Sequence, residues 1–341
     1  MSKKKAAVLD IPPQLAVPIV DNHTHIYPDP ALPEGTTPHQ LVTENGKWRF
    51  PVLEENLCIG MEKAGIRAAI TSGCELPDLQ STLALAHRRA HIVYAALAIH
   101  PNEAALHAGV RETAPDGLAP NPKPWHEECS LDAAIARVAD MAKDRAVICV
   151  GETGLDYFRS GPAAREAQIQ AFRAHIALAK ELGKPMQIHD RDAHADVIDV
   201  LLRDGAPERT VFHCFSGDAE LAEVCAEHGW YASFAGPITY PANHELRKAF
   251  LALPPELILV ETDAPYLTPL PFRGYPNAVW GAAYTARYQA WLRLDPAAAS
   301  LLSDSAVTAA QIQAAAGCVR DEIVDAWCEQ LNANTRNVYG I

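Results

Sequence analysis

Val147-Ile148-Cys149-Val150-Gly151-Glu152-Thr153-Gly154 decides how the rest of the chain is read. Four apolar residues in a row, three of them β-branched, make a strand that can be buried on both faces, as a strand inside a parallel sheet must be. The same signature recurs on either side. Strands are expected near residues 16–21, 66–72, 92–99, 146–151, 185–189, 210–214, 230–235 and 257–262. Helical patterns separate them, at 53–64, 79–90, 131–143, 163–182, 193–203, 219–228 and 244–253. Eight β/α units in one chain of 341 residues predict an α/β protein, a closed (β/α)₈ TIM barrel. An open doubly wound sheet would show the same alternation. The expected organisation is a single domain over residues 15–341, with extended rim loops and a helical C-terminal segment, behind an N-terminal tail of residues 1–14.

Two stretches exceed what a bare barrel needs. Residues 28–51 are rich in Pro and Gly and carry Trp48 and Phe50, while 108–130 hold four prolines and Trp125. Both read as loops on the side where strands end, which is the rim of a barrel active site. From Tyr284 onward the chain reads as mostly helical, with Ala-rich 306–316 and then 322–331.

Composition narrows the partners. Hydrophobic residues make up 49% of the chain, enough for a large core and too many for wholesale disorder. Against 42 acidic residues stand 29 Lys and Arg, a formal charge of −13, which disfavours a broad basic face for long duplex nucleic acid. No apolar run reaches the ~20 residues that span a bilayer. The opening is basic but broken by Pro12-Pro13, so no signal peptide is expected. Eight cysteines with no C-x-x-C pair fit a reduced, cytoplasmic protein without a disulfide framework or structural zinc site.

The chemistry lies where strands end. Strand 1 closes on His23-Thr24-His25, and residues two apart in a strand share a side, so both imidazoles can meet one ion. Strand 4 delivers Glu152 between Gly151 and Gly154, which free the backbone to turn beside a carboxylate. Strands 5 and 6 end on His189 and His213, and strand 8 on Glu261-Thr262-Asp263, with Glu261 one layer deeper. Ser216 is expected to cap the helix that follows. Taken singly, each of these fits a core histidine or a solvated turn. Together they bring four imidazoles and two carboxylates to one end of a barrel. That set is enough for two divalent ions, Zn²⁺, Mn²⁺ or Mg²⁺, which can activate water and stabilise a phosphoester displacement.

In this order, Asp21-Asn22-His23-Thr24-His25-Ile26, GETGLDYFR (151–159), IHDRDAH (188–194), FHCFSG (212–217) and ETDAPYLTP (261–269) resemble the TatD family of metal-dependent hydrolases, in the amidohydrolase-like superfamily. The likeness continues in Arg273-Gly274 with Asn277 and in the closing NANTRNVYGI. It implies a barrel with two divalent ions and phosphodiester hydrolysis of DNA, often from the 3′ end, so DNA ends or a small phosphoester are the expected substrates. It places His23, His25, Glu152 and Asp263 on one ion, and a bridging Glu152 with His189 and His213 on the other. Asp263 is the implied proton acceptor; Asp263 and Glu152 are thus the catalytic candidates. His100, Asp156, Glu261 and Arg273 are expected to contact substrate or stand behind the ligands. This chain departs from the family in its two long loops, its Ala-rich segment, and Ala278-Val279-Trp280 where a proline is common. The alternative is an amidohydrolase-type deacylase, lactonase or amidase. Such barrels often bridge their metals with a modified lysine on strand 4, where this chain has Glu152. A third reading, a partner-binding scaffold with a vestigial site, sits poorly with a complete ligand set; no obligate protein partner is evident.

Overall fold

The computed structural model describes residues 7–29, 52–295 and 317–341, with Ala298, Ala310, Gln311 and Ala314. Of the loop expected at 28–51, all but Pro28 and Asp29 falls outside the described residues, as does most of 306–316.

Eight parallel strands form one sheet in sequence order: β1 (Ile19–Thr24), β2 (Ile66–Gly73), β3 (Val93–Leu97), β4 (Val147–Asp156), β5 (Met186–Arg191), β6 (Thr210–Phe212), β7 (Tyr231–Phe234) and β8 (Ile258–Val260). The open-sheet alternative fails at the seam. There the Asp263 N–H donates to the His23 carbonyl (3.0 Å), the His25 N–H to the Ala264 carbonyl (2.8 Å), and Asn22 Nδ2 to the Val260 carbonyl (2.9 Å). The buried carboxylate of Asp21 accepts from both the backbone N–H and the hydroxyl of Thr262, tying the first strand to the segment after the last. The expected (β/α)₈ TIM barrel is therefore the observed fold.

Helices α1 (Glu54–Ala64), α2 (Leu76–Arg88), α3 (Pro101–His107), α4 (Pro124–Glu128), α5 (Leu131–Met141), α6 (Arg165–Leu182), α7 (His194–Asp204), α8 (Ala219–His228), α9 (His244–Ala252), α10 (Gly281–Leu294) and α11 (Asp321–Tyr339) are those among the described residues. They bury their apolar stripes on the outer wall of the sheet, as Phe172, Ile176, Val197, Leu201 and Phe250 show. Two short helices, α3 and α4, occur where none was read. Pro at the first helical position favours both starts, and their brevity leaves too few periodic residues to be seen in sequence. Within 108–130, read as a loop, α4 is thus a structured turn. One capping expectation is corrected. Asp218, not Ser216, caps α8, its Oδ1 accepting from the N–H groups of Glu220 and Leu221 at 3.1 Å; Ser216 Oγ donates instead to the Asp190 carbonyl.

Inside the barrel the wall is lined by Val20, Ala68, Ile70, Ala96, Cys149, Val211 and Leu259. The alanines leave room at the core's lower end, and the last turn of α11 fills it with Val338 and Tyr339. Upstream, Val8 and Leu9 already sit in the core, and the Leu9 N–H and carbonyl bond Pro276 and Trp280, so packing begins before residue 15. Among the described residues no helix is long and apolar enough to cross a membrane.

Candidate metal centre

Two local irregularities aim the site. The β1–β2 register shifts between Asp21 and Thr24, and the β4–β5 register between Val150 and Thr153, so the ladder breaks around His23 and around Glu152. Breaks of this kind re-aim side chains at barrel rims. Gly154 permits the second. Its φ is +142°, and a Cβ there would lie 2.1 Å from the His189 carbonyl oxygen. Asp263 and Cys214 also adopt left-handed backbone, with φ of 53° and 43°. Strained residues of this sort cluster at functional sites.

Glu152 stands at the centre. One carboxylate oxygen, Oε1, faces His25 Nε2 at 3.3 Å and His23 Nε2 at 3.8 Å. The other, Oε2, faces His213 Nε2 at 2.6 Å and His189 Nδ1 at 2.9 Å. Asp263 completes the first group, its Oδ1 lying 3.4 Å from His25 Nε2 and 3.8 Å from His23 Nε2. Donor atoms held on one ion by bonds of about 2.0–2.2 Å lie about 3.0–3.5 Å from each other; the distances here run from 2.6 to 3.8 Å on either side of that spacing. All six predicted ligands converge. His23, His213 and Glu152 are buried, while His25, His189 and Asp263 keep an exposed edge.

Behind the ligands stands a set of groups that orients them. Gln187 Nε2 donates to the Asn22 carbonyl (2.7 Å) and to the Tyr339 hydroxyl (2.9 Å), which turns its Oε1 onto His23 Nδ1 at 2.9 Å. His23 must then carry its proton on Nδ1 and offer the lone pair of Nε2 inward. Asp156 Oδ2 meets His189 Nε2 at 3.2 Å, so that ring offers Nδ1 inward. Glu261 Oε1 faces His213 Nδ1 at 3.6 Å while accepting the Cys214 N–H at 2.6 Å. An acceptor behind each imidazole is the usual arrangement around metal-ligating histidine. The residues present fit divalent cations.

The electrostatics agree. Burial alone would raise the Glu152 carboxyl, but the nearby His213 and His100, with hydrogen bonds from His189 and His213, hold it well below the usual carboxylate range. Burial opposes protonation of His25 and His189 as well. Asp263 and Glu152 outweigh it at His25, pushing it up to about 10, and Asp156 and Glu152 push His189 up to about 9. His23, buried and crowded by His213, drops to about 3. The carboxylates thus favour positive charge at His25 and His189, while His23 is held neutral.

The remaining candidates divide. His100 Nδ1 accepts the Asn102 N–H at the start of α3, and its Nε2 faces Glu152 Oε2 at 3.8 Å, so it borders the His189 side. Asp156 and Glu261 support histidines. Arg273 lies on the surface over the Tyr240 ring, 4.5 Å from its centroid, and makes no contact with the six ligands. Histidine 194 pairs locally with Asp190 at 2.7 Å. Sequence reasoning missed Gln187, Ser72 and Cys74. Ser72 Oγ accepts the Glu152 N–H at 3.0 Å, and Cys74 Sγ lies 3.4 Å from Glu152 Oε1. A polar residue two before the strand-5 histidine was the one available signal for Gln187.

Comparison with known proteins gives a consistent result. The family described as TatD related DNase matches residues 20–303. A protein of Mycobacterium tuberculosis named as an uncharacterized metal-dependent hydrolase TatD is 39% identical over 230 residues, covering 66% of this chain and 77% of that protein. One from Edwardsiella piscicida, named 3'-5' ssDNA/RNA exonuclease TatD, is 32% identical over 221 residues, covering 63% and 75%. The crystal structure of YJJV, a TatD homologue of Escherichia coli, shares the fold with a TM-score of 0.65 at 22% identity, over 95% of this chain and 98% of that one.

Proposed function

We propose that this chain, which belongs to the TatD family and is a metal-dependent hydrolase, cleaves phosphodiester bonds at the free ends of DNA strands. The observation that carries the reading is Glu152, one oxygen turned to His23 and His25 and the other to His189 and His213. His23, His25 and Asp263 would hold one divalent ion and His189 and His213 a second, with Glu152 shared. When bound, two such ions supply Lewis-acid polarisation of the phosphoryl group and lower the pKa of water.

The chain's own groups do the rest. Asp263, exposed at the open edge of the pocket, accepts a proton from the water that attacks phosphorus. Its carboxyl is available for this because His25 and His23 overcome the burial that would raise it and keep it ionised. Gln187 and Asp156 hydrogen-bond the rings of His23 and His189 from behind, and Glu261 faces that of His213 at 3.6 Å. The Edwardsiella relative's name, a 3'-5' exonuclease of ssDNA and RNA, supports strand ends as substrate. No feature of the pocket favours the amide or lactone alternative: the bridging position holds Glu152 rather than lysine.

The test is an assay of protein reconstituted with Mg²⁺, Mn²⁺ or Zn²⁺ against single-stranded DNA, duplex DNA, RNA, small phosphodiesters, esters and amides. Nucleotide release from DNA ends is expected, with about two ions per chain by elemental analysis. Glu152→Gln should lower turnover about 10³-fold, the worth of several kcal/mol of metal assistance. Hydrolysis confined to esters or amides would overturn the proposal.

A further inference from the structure

We propose that Arg191 and Arg273, each seated on an aromatic ring at the barrel mouth, bind the phosphates that precede the scissile one along the strand and so make the enzyme prefer a strand over a single phosphodiester; this rests on the phosphodiesterase reading above. A chain with a formal charge of −13 repels a polyanion at long range, so any grip on a strand must come from short-range contacts near the site.

Three arginines lie at or after the ends of the ligand-bearing strands: Arg159 after β4, Arg191 at the last position of β5, and Arg273 on the loop that follows β8. Arg159 is ion-paired with Asp116 at 2.7 Å. Arg191 and Arg273 are not: among the described residues neither has a carboxylate within salt-bridge distance. Instead the Arg191 guanidinium lies 4.0 Å from the Phe158 ring centroid and that of Arg273 lies 4.5 Å from Tyr240. Both side chains belong to exposed residues.

Their positions tie them to the pocket. Arg191 ends β5, two residues past His189, and pairs in register with Asp156, the residue that orients His189. Arg273 lies on the loop that leaves Asp263 and is anchored back by Asn277, whose Nδ2 donates to the Thr262 and Tyr266 carbonyls. Tyr240, which carries Arg273, donates its hydroxyl to the Thr268 carbonyl of the same loop. Arg191 thus stands at the last position of β5 and Arg273 on the loop that follows β8.

A guanidinium stacked on a ring is held in one orientation while its N–H edge stays free, which reduces the ordering cost of gripping a phosphate in its fork. Acidic groups share this edge. Asp190 and Asp218 lie near His194, and Asp192 is exposed beside Arg191. The arginines must therefore act by direct contact rather than through a general positive field.

The experiment compares Arg191→Gln, Arg273→Gln and the double variant on a short 5′-labelled thymidine oligonucleotide and on bis(p-nitrophenyl) phosphate. Anisotropy binding of the same oligonucleotide is measured without added divalent cation. Each single variant is expected to raise KM for the oligonucleotide about tenfold, the worth of one charge-assisted contact, with kcat changed far less. Each should also flatten the slope of log affinity against log salt by about 0.7. The small diester, with one phosphate, should lose much less. Arg203→Gln, on the outer face of α7 beside Asp199, should keep the wild-type slope. Equal losses on both substrates, or an unchanged KM and slope in the double variant, would overturn the inference. So would a wild-type protein that fails to bind the oligonucleotide. Weakened binding in the variants with no cleavage of either substrate would sustain the phosphate contacts and sink the phosphodiesterase reading alone.

Discussion

At the scale of single residues, the six candidate ligands could be picked from the sequence because each lies at the end of an apolar strand and together they crowd one end of the barrel. Of the groups behind them, Asp156 and Glu261 were among the expected residues, and Gln187 was not. Gln187 lies inside β5, where a sequence offers no clue that its amide carries a hydrogen bond to His23 from one end and to Asn22 and Tyr339 from the other. Asp156, expected to contact substrate or stand behind the ligands, does the latter: its Oδ2 lies on His189 and its Oδ1 accepts the N–H groups of Phe158 and Arg159. Asp156→Asn can still meet His189 but loses the charge, and metal affinity should fall about 10–100-fold with the fold intact, as titration calorimetry would show. His175 offers a test of stability. Fully buried, with Nδ1 against the Ala171 carbonyl and Nε2 accepting the Ile99 N–H, it is pushed down by burial to about 4. The unfolded chain takes up this proton first as pH falls. The contribution is therefore complete above about pH 6.5 and is lost progressively down to about pH 4, by up to about 3 kcal/mol. In urea titrations across that window, His175→Gln should show a shallower decline than the parent; parallel curves would remove His175 from the account.

At the scale of elements, all eight strands were found, and their ends shifted by a few residues. β1 begins at Ile19 rather than 16 because Pro18 precedes it, and β4 runs on to Asp156 because Gly154 lets it stay paired with β5 past the turn. Strand periodicity cannot show this, since it reads side chains and not the backbone angle that only glycine accepts. The helix cap on α8 shows the same limit. Ser216 and Asp218 are both good capping types, and chain direction at the end of β6 decides between them. Asp218→Ala should cost about 1 kcal/mol in chemical denaturation, whereas Ser216→Ala should leave α8 unaffected. A larger loss at Ser216 would mean that its bond to the Asp190 carbonyl matters more than the cap.

At the scale of the whole molecule, closure makes the site. The seam brings His23 and His25 of the first strand beside Asp263 after the last, 240 residues away along the chain for His23. From below, α11 props the same region: Tyr339 meets Gln187, Asn332 Nδ2 donates to the Pro18 carbonyl, and Asn334 Nδ2 to the Ile258 carbonyl. An ion held by β1, β4 and β8 at once would bind the closed barrel and not the unfolded chain. At a hundredfold excess over its Kd it should therefore add about 3 kcal/mol, visible as a rise of a few degrees in Tm that chelation reverses. No shift with any divalent cation would count against a metal centre.

The sequence by itself determined the alternation of eight strands with helices and the polar side chains that end those strands, because buried parallel strands and their polar ends leave a local trace. Only the tertiary structure decided which imidazole nitrogen faces inward, which oxygen of Glu152 serves which pair, and that Asp218 rather than Ser216 caps its helix. Those choices depend on acceptors and backbone angles supplied by segments remote in the chain, and a linear pattern carries no record of them.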